Sequence, residues 1–127
     1  MSEAQVAAQA SSITTRIVEA VAEHARSGDP VRVLGLTGPP GTGKSTIAAQ
    51  LAVALPEAVI AVAGLVPMDG FHMSNALLAE RGLADHKGAP DTFDVGGYVA
   101  MLGRVRRADG IVLAPDYRRD LHEPVAA

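Results

Sequence analysis

Apolar residues along this chain form two kinds of segment that alternate. Short and almost continuously apolar runs cover residues 31–37, 58–66 and 110–115, and they have the length and composition of buried parallel strands. Apolar residues at helical spacing occupy residues 2–27 and 95–107. Strands and helices that alternate in this way predict an α/β fold, with a mainly parallel sheet flanked by helices.

Capping residues predict two further helices and refine a third. Residues 46–55 are helix-forming and stop at Pro56, and residues 74–81 form a short helix with Ser74 as its N-cap and Gly82 as its stop. Asp94 is expected to cap the helix at residues 95–107. That helix should place its inward face at Val99, Leu102 and Val105 and leave its arginines in solvent.

A glycine-rich loop lies between the first predicted strand and the second predicted helix. It reads G-x-x-x-x-G-K-S and comprises Gly38, Pro39, Pro40, Gly41, Thr42, Gly43, Lys44, Ser45 and Thr46. Strand, glycine loop and helix in this order are the context of a phosphate-binding P-loop. We expect its N–H groups to bind phosphates, Lys44 to reach the β- and γ-phosphates, and Ser45 to be a ligand of Mg²⁺. The alternative is a Gly/Pro-rich turn that binds nothing, but turn chemistry alone rarely produces the full motif in this context.

Polar residues follow the second and third predicted strands at the point where each strand ends. Asp69 comes after the run at residues 58–66, and a polar segment at residues 116–124 follows the third strand. In open α/β sheets the ligand crevice lies beyond the carboxyl ends of the strands. Asp69 is therefore expected on the P-loop edge, near the position of a γ-phosphate.

Composition excludes several other classes of protein. The 127 residues suit one domain, residues 1–127, and the net charge of −3 disfavours a nucleic-acid partner. The absence of cysteine excludes disulfides and thiolate zinc sites. No apolar run has the length of a membrane span. These features, with no signal-peptide pattern near the first residues, lead us to expect a cytoplasmic protein without a membrane partner.

Three ordered motifs resemble the uridine kinase, phosphoribulokinase and pantothenate kinase superfamily of P-loop kinases. The likeness lies in Met68-Asp69-Gly70-Phe71-His72 and continues through Asn75, Leu78 and Arg81-Gly82. It also lies in residues 87–94 and in Pro115-x-Tyr117-x-Arg119-x-x-His122-x-Pro124. It covers the chain from about residue 31 onward and is similar to the bacterial nucleoside/nucleotide kinase-like branch. Two positions depart from the pattern: Gly88 replaces an acidic residue of uridine kinases, and Arg118 replaces the aspartate usual in the nearer branch.

The resemblance implies an ATP-dependent phosphotransferase that phosphorylates a hydroxyl of a small metabolite, with Mg²⁺ as a second cofactor. Asp69 would be the base that orients or deprotonates the acceptor hydroxyl, and Lys44 would be the second catalytic residue. Nucleosides, sugars and pantothenate-like alcohols all remain open as acceptors. The candidates for holding the acceptor, besides Asp69, are His72, Lys87, Asp91, Tyr117, Arg119 and His122.

Members of this superfamily continue further, with more strands, a second acidic Mg²⁺ ligand and an arginine-bearing lid. We therefore expect the chain to be the N-terminal portion of such a domain, with an incomplete sheet of about three strands. A homodimer is one way to complete that sheet. The alternatives are a non-catalytic nucleotide-binding fragment and a P-loop ATPase or switch. A GTPase is disfavoured, because Asn75 is the only asparagine and Ala76 follows it.

Overall fold

The structure is a computed structural model that describes residues 1–126. The chain folds as two compact units, Met1–Leu65 and Val66–Ala127. Helices and a pair of strands occur in one chain, which confirms an α/β composition. The single kinase domain expected for residues 1–127 stays a prediction.

The first unit begins with helix α1, Glu3–Arg26. Ser2 and Gln5 form a capping box, in which each side chain accepts a hydrogen bond from the backbone N–H of the other residue, at 3.2 and 2.8 Å. The helix ends before Gly28, close to the predicted position. Within residues 1–126, neither α1 nor any other helix is long and apolar enough to cross a membrane.

Helix α2, Lys44–Glu57, packs against α1 through the apolar core of this unit. It runs one residue beyond Pro56, the predicted stop. The Thr14 hydroxyl, buried on α1, donates to Gln50 Oε1 on α2 at 2.7 Å, so one polar pair lies in an otherwise apolar interface. The buried apolar residues of the core are Ala10, Val21, Ile47, Leu51 and Leu55.

The mainly parallel sheet is absent from residues 1–126, and this corrects the expected architecture. Residues 31–37, 58–66 and 110–115 form no strand. A parallel strand is stable when neighbours satisfy its backbone hydrogen bonds and layers on both faces bury its side chains. Only single side chains of the first two segments, Leu36 and Ile60, pack against the helical core, and Val59 is 94% exposed with a φ of +61°.

The second unit is built from short helices, turns and one hairpin. The only sheet within residues 1–126 is an antiparallel pair in which Asp116 lies opposite Val125 and Arg118 opposite Glu123. In chain order the elements are the 3₁₀ turn Met68–Phe71, helix α3 (Asn75–Glu80), the 3₁₀ turns Ala84–His86 and Pro90–Thr92, helix α4 (Val95–Arg107), and strands β1 (Asp116–Arg118) and β2 (Glu123–Val125).

Helix α3 has the caps that the sequence predicts. The Ser74 hydroxyl accepts the N–H of Leu77 at 3.2 Å, and Gly82 follows the helix with a φ of +69°. Leu78 is 1% exposed and anchors the helix in this unit.

Helix α4 is capped as expected; of its predicted inward residues, Leu102 and Val105 are half-buried and Val99 is not buried. Asp94 Oδ1 accepts the N–H of Gly97 at 2.9 Å. Met101 is the buried residue, and the ring of Tyr98 lies 5.1 Å from that of Phe71. Val99, predicted to point inward, is 61% exposed. The prediction placed the apolar stripe on the aliphatic positions and overlooked that Tyr98 and Met101, three residues apart, define another face.

Gly70 lets the backbone of the Met68–Phe71 turn approach the start of the hairpin. A Cβ at this position would lie 2.1 Å from the carbonyl oxygen of Pro115 and 3.2 Å from the N–H nitrogen of Asp116. Since these neighbours are backbone atoms, no side-chain rotation relieves the clash. Because residue 70 has no side chain, the turn that contains Asp69 can lie close beside β1.

We expect Gly70→Ala to lower the free energy of unfolding of the second unit by about 1–3 kcal/mol, because the backbone must move to admit the methyl group. Gly96→Ala is the matched control, since its Cβ would be 3.9 Å from Asp94 Oδ1 and alanine favours the helix. Urea unfolding followed by tyrosine fluorescence reports on this unit, because Tyr98 and Tyr117 are the only tyrosines and the chain has no tryptophan. Equal midpoints for the two variants would contradict the close approach.

Candidate functional site

The glycine loop of the first unit forms the N-terminus of α2. Gly41 and Gly43 have φ angles of +74° and +88°, which lie in the left-handed region that glycine adopts without strain. Helix α2 begins at Lys44, directly after Gly43. Because Gly43 has no side chain, it cannot cap the first N–H groups of the helix. These N–H groups and the positive end of the helix dipole form a site for an anion.

The side chain of Lys44 folds back over this loop. Its Nζ donates to the carbonyl oxygens of Gly38 at 2.6 Å and Pro39 at 2.8 Å, and the Thr42 hydroxyl donates to the Pro39 oxygen at 2.7 Å. The ammonium group is thus held at the loop itself. A lysine ammonium can exchange neutral carbonyl partners for phosphate oxygens, which form stronger, charge-assisted hydrogen bonds.

A concave space of about 320 Å³ opens beside this loop, within the first unit. Ser45 and Thr46 occupy the first turn of α2, and both are exposed. The lining residues are Val6, Gly41, Gly43, Lys44 and Ser45. The donors, the space and the positive charge suit the phosphates of a nucleotide.

Magnesium has one candidate protein ligand here, the hydroxyl of Ser45. Within residues 1–126, no three His, Cys, Asp or Glu side chains are grouped closely enough to hold a metal ion. Mg²⁺ in kinases usually keeps several waters and binds through substrate phosphates with one or two protein oxygens. The Ser45 hydroxyl fits that manner of binding, in which the phosphates supply most of the negative charge around the ion.

In the second unit, Asp69 lies in the Met68–Phe71 turn and faces Arg119. Arg119 Nη2 is 3.9 Å from Asp69 Oδ2, and the two side chains are 85% and 50% exposed, respectively. An exposed pair at this distance is weak, because water screens it and two side chains must be ordered. The carboxylate of Asp69 is therefore accessible to a ligand that competes with Arg119.

His72 is fixed beside Asp69 by its ring contacts and by one hydrogen bond. Its Nδ1 lies 2.8 Å from the backbone oxygen of Asp69, and because a carbonyl oxygen only accepts, Nδ1 carries the proton and donates. The ring centre lies 4.1 Å from that of Phe93 and 4.9 Å from that of Tyr117. In the neutral ring, Nε2 is then left as the hydrogen-bond acceptor.

Lys87 reaches the same group from the loop before α4. Its Nζ donates to Asn75 Oδ1 at 2.8 Å and to the backbone oxygen of His122, and it lies 5.4 Å from the centre of the Tyr117 ring. His122 takes part through its backbone, and the residue itself is exposed. We call Asp69, His72, Lys87, Tyr117, Arg119 and His122 the acceptor cluster.

Asp91 is the predicted residue that stays outside this cluster. It lies exposed in the Pro90–Thr92 turn and makes no side-chain hydrogen bond or ion pair within the described part of the chain. Its neighbour Thr92 is fully buried instead. The Thr92 hydroxyl accepts the N–H of Gly88 at 3.0 Å and donates to the oxygen of Ala89 at 2.7 Å. In this segment, the buried hydroxyl rather than the acidic side chain organises the loop.

Sequence reasoning did not assign Asn75, Phe93 or Glu123 to the site. Asn75 accepts from Lys87, Phe93 packs on His72, and Glu123 Oε1 accepts the N–H of Asn75 at 2.9 Å. Asn75 and Phe93 lie within the stretches that resemble the kinase motifs, which was the available signal. Glu123 occupies an unspecified position of the third motif, and its partner lies 48 positions earlier in the chain, so spacing did not indicate the contact.

Comparison with known proteins finds similarity to kinases, although no family profile matches the chain. It is 42% identical over 96 residues to the uncharacterized protein YggC of Escherichia coli K12, covering 73% of this chain and 39% of that protein. It is 32% identical over 95 residues to a pantothenate kinase of Limosilactobacillus reuteri, covering 72% of this chain and 30% of that enzyme.

A crystal structure from Silicibacter sp. TM1040, of a protein provisionally named a fructose transport system kinase, superimposes with a TM-score of 0.72. Identity is 32%, and the match covers 89% of this chain and 54% of that one. These similarities support a P-loop kinase family for this chain. It spans about 30–39% of the length of the curated relatives named here.

We expect Thr92→Val to lower the free energy of unfolding of the second unit by about 1 kcal/mol, because the Gly88 N–H loses its acceptor. Thr92→Ser retains the hydroxyl and controls for the loss of the methyl group. Tyrosine fluorescence during urea unfolding measures both variants. If valine is tolerated as well as serine, the hydroxyl does not organise this loop.

Proposed function

We propose that the chain contains the nucleotide-binding part of an ATP-dependent phosphotransferase that phosphorylates a hydroxyl of a small metabolite. The observation that supports this most is the glycine loop at the uncapped N-terminus of α2, with Lys44 held over it. Similarity to a pantothenate kinase and to a solved kinase structure supports the reaction type. A sugar, a nucleoside or a pantothenate-like alcohol would each fit as the acceptor class.

In this proposal the loop binds the nucleotide through its backbone. N–H groups of residues 41–46 donate to the phosphate oxygens, and Lys44 exchanges its two carbonyl partners for the β- and γ-phosphates. The Ser45 hydroxyl provides a protein ligand for Mg²⁺, and Thr46 supports the α-phosphate. Mg²⁺, when bound, neutralises charge that develops on the transferred phosphoryl group.

Asp69 is the residue that we assign to the acceptor hydroxyl. Phosphoryl transfer depends mainly on a positioned nucleophile and on charge stabilisation, and an aspartate carboxylate can accept the hydroxyl proton. The weak pair with Arg119 leaves the carboxylate available to the acceptor. Arg119 then provides a positive charge beside Asp69, where it stabilises the negative charge of the transferred phosphoryl group.

A second candidate function is nucleotide binding without transfer, as in a fragment, an ATPase or a switch. The observation in its favour is that residues 31–37 and 58–66 form no strand, although a P-loop kinase carries its acidic residue at the end of such a strand. A chain in this state would bind Mg²⁺-ATP through α2 and turn over no acceptor. The two functions differ in the experiments that follow.

Thermal unfolding with increasing Mg²⁺-ATP tests nucleotide binding. At a ligand concentration of one hundred times Kd, binding to the folded state alone adds about 2.7 kcal/mol, and the midpoint rises accordingly. Lys44→Ala should remove most of this rise, because it deletes the charge at the loop. Arg32→Ala, an exposed cation in the same unit, should retain it. If Mg²⁺-ATP does not change the unfolding midpoint of the unsubstituted chain, both candidate functions are contradicted.

Asp69→Asn separates transfer from binding. We expect the variant to bind Mg²⁺-ATP with unchanged affinity and to lose about 10²–10⁴-fold in kcat, the usual contribution of a positioned base. Phosphorylation of D-fructose, uridine and pantothenate is measured by ADP release. Asp85→Asn removes an exposed carboxylate of the same unit and should leave kcat unchanged. If Asp69→Asn weakens nucleotide binding as much as Lys44→Ala does, Asp69 is not the base.

A further inference from the structure

The ammonium group of Lys87 is largely occupied by partners within the protein. A lysine ammonium has three N–H donors, and two of them are used, at Asn75 Oδ1 and at the backbone oxygen of His122. The positive charge also lies over the ring of Tyr117. Its two partners lie in α3 and in the hairpin turn, whereas the two partners of Lys44 lie in its own loop, so Lys87 links separate parts of the unit.

A second contact joins α3 to the β1–β2 hairpin. Asn75 is the first residue of α3, and its backbone N–H donates to the side chain of Glu123, the first residue of β2. Asn75 thus accepts from Lys87 through its side chain and donates to Glu123 through its backbone. Lys87, Asn75, Glu123 and the His122 backbone oxygen form a clasp between α3 and the β1–β2 hairpin.

The backbone of His122 shows that the hairpin end is held in an unfavourable conformation. Its φ is +52°, in the left-handed region that residues other than glycine seldom adopt. Such a conformation persists where the surroundings fix it. The hydrogen bond from Lys87 ends on the oxygen of this residue, and the ion pair of Arg118 with Asp120 at 2.7 Å lies in the same turn.

The clasp matters because the hairpin carries two members of the acceptor cluster besides His122. Tyr117 lies in β1 and packs against His72, and Arg119 directly follows β1 and faces Asp69. Both contacts depend on where the hairpin lies relative to the Met68–Phe71 turn. Gly70 permits the close approach of that turn to Pro115, and the clasp fixes the opposite end of the hairpin on α3.

We propose that Lys87 is a positioning residue that fixes the β1–β2 hairpin on α3 and so sets Tyr117 and Arg119 beside His72 and Asp69. It acts through the hairpin and does not itself bind the phosphoryl acceptor. The catalytic part of this inference rests on the proposed function of Asp69, whereas the clasp does not. The two parts are therefore tested by separate measurements.

Amide hydrogen exchange tests the clasp without any assay of activity. In Lys87→Met we expect the amides of Leu121 and His122, which donate to Arg118 and Arg119 in the hairpin turn, to exchange about tenfold faster. Amides of α2 should be unchanged. Arg106→Met is the matched control, because it removes one positive charge from an exposed position on α4. Hairpin exchange that is the same in Lys87→Met and the control overturns the proposal.

Steady-state kinetics tests the positioning role, with whichever compound of the panel D-fructose, uridine and pantothenate the protein phosphorylates. Lys87→Met should raise the acceptor KM about tenfold and leave the affinity for Mg²⁺-ATP unchanged. Lys87→Arg, which keeps the donors, should restore part of the loss. Asn75→Leu removes the acceptor of Lys87, and its effect should not add to that of Lys87→Met, since both break one clasp.

The remaining outcomes concern the additivity of the two variants, the folding of Lys87→Met and the activity of the unsubstituted chain. Additive losses from Lys87→Met and Asn75→Leu mean that Lys87 touches the acceptor itself, which overturns the positioning role. If Lys87→Met does not fold, Asn75→Leu carries the exchange measurement alone and must give the same acceleration in the hairpin. A chain that phosphorylates no compound of the panel refutes the transferase function, and hydrogen exchange still decides whether the clasp exists.

Discussion

The N–H groups at the start of α2 are the constraint on which the proposed nucleotide site depends. A helix leaves its first N–H groups without partners in the backbone, and side-chain caps normally satisfy one or two of them. Ser2 does this for α1 and Asp94 for α4, each with an oxygen of its own side chain. Gly43 cannot, so α2 keeps its donors for an outside acceptor.

The core between α1 and α2 holds that helix end in place. Ile47, Leu51 and Leu55 are buried in one apolar cluster with Ala10 and Val21, so the position of α2 is determined by apolar contacts along the helix. The loop residues themselves contribute little to that core. This division lets the loop keep an open and donor-rich conformation while the helix behind it stays fixed.

Local features of the chain were predictable from sequence, and features that depend on distant partners were not. Ser74, Gly82 and Asp94 mark helix ends through contacts three or fewer residues away, and they lie where expected. The P-loop glycines adopt their left-handed angles for the same local reason. A strand at residues 58–66 would need neighbouring strands and covering layers, so the apolar composition of this segment alone did not produce one.

The acceptor cluster shows the same limit within one site. The motif around Asp69 and the Tyr117 to His122 pattern directed attention to residues that do lie together. Whether Lys87 meets a ligand or Asn75 cannot be read from spacing, because Asn75 lies 12 positions before it in another element. Asp91 has the chemistry of a ligand, yet the buried Thr92 beside it takes the structural role.

The apolar segments at residues 31–37 and 58–65 have a further consequence. Val33, Leu34, Val62 and Leu65 are exposed, and the backbone beside them has no strand partner in the described residues. An apolar segment with an unpaired backbone is a template on which another chain can add a strand. Self-association of this protein should therefore rise steeply with its concentration, and its colloidal behaviour will be set by these segments more than by its net charge.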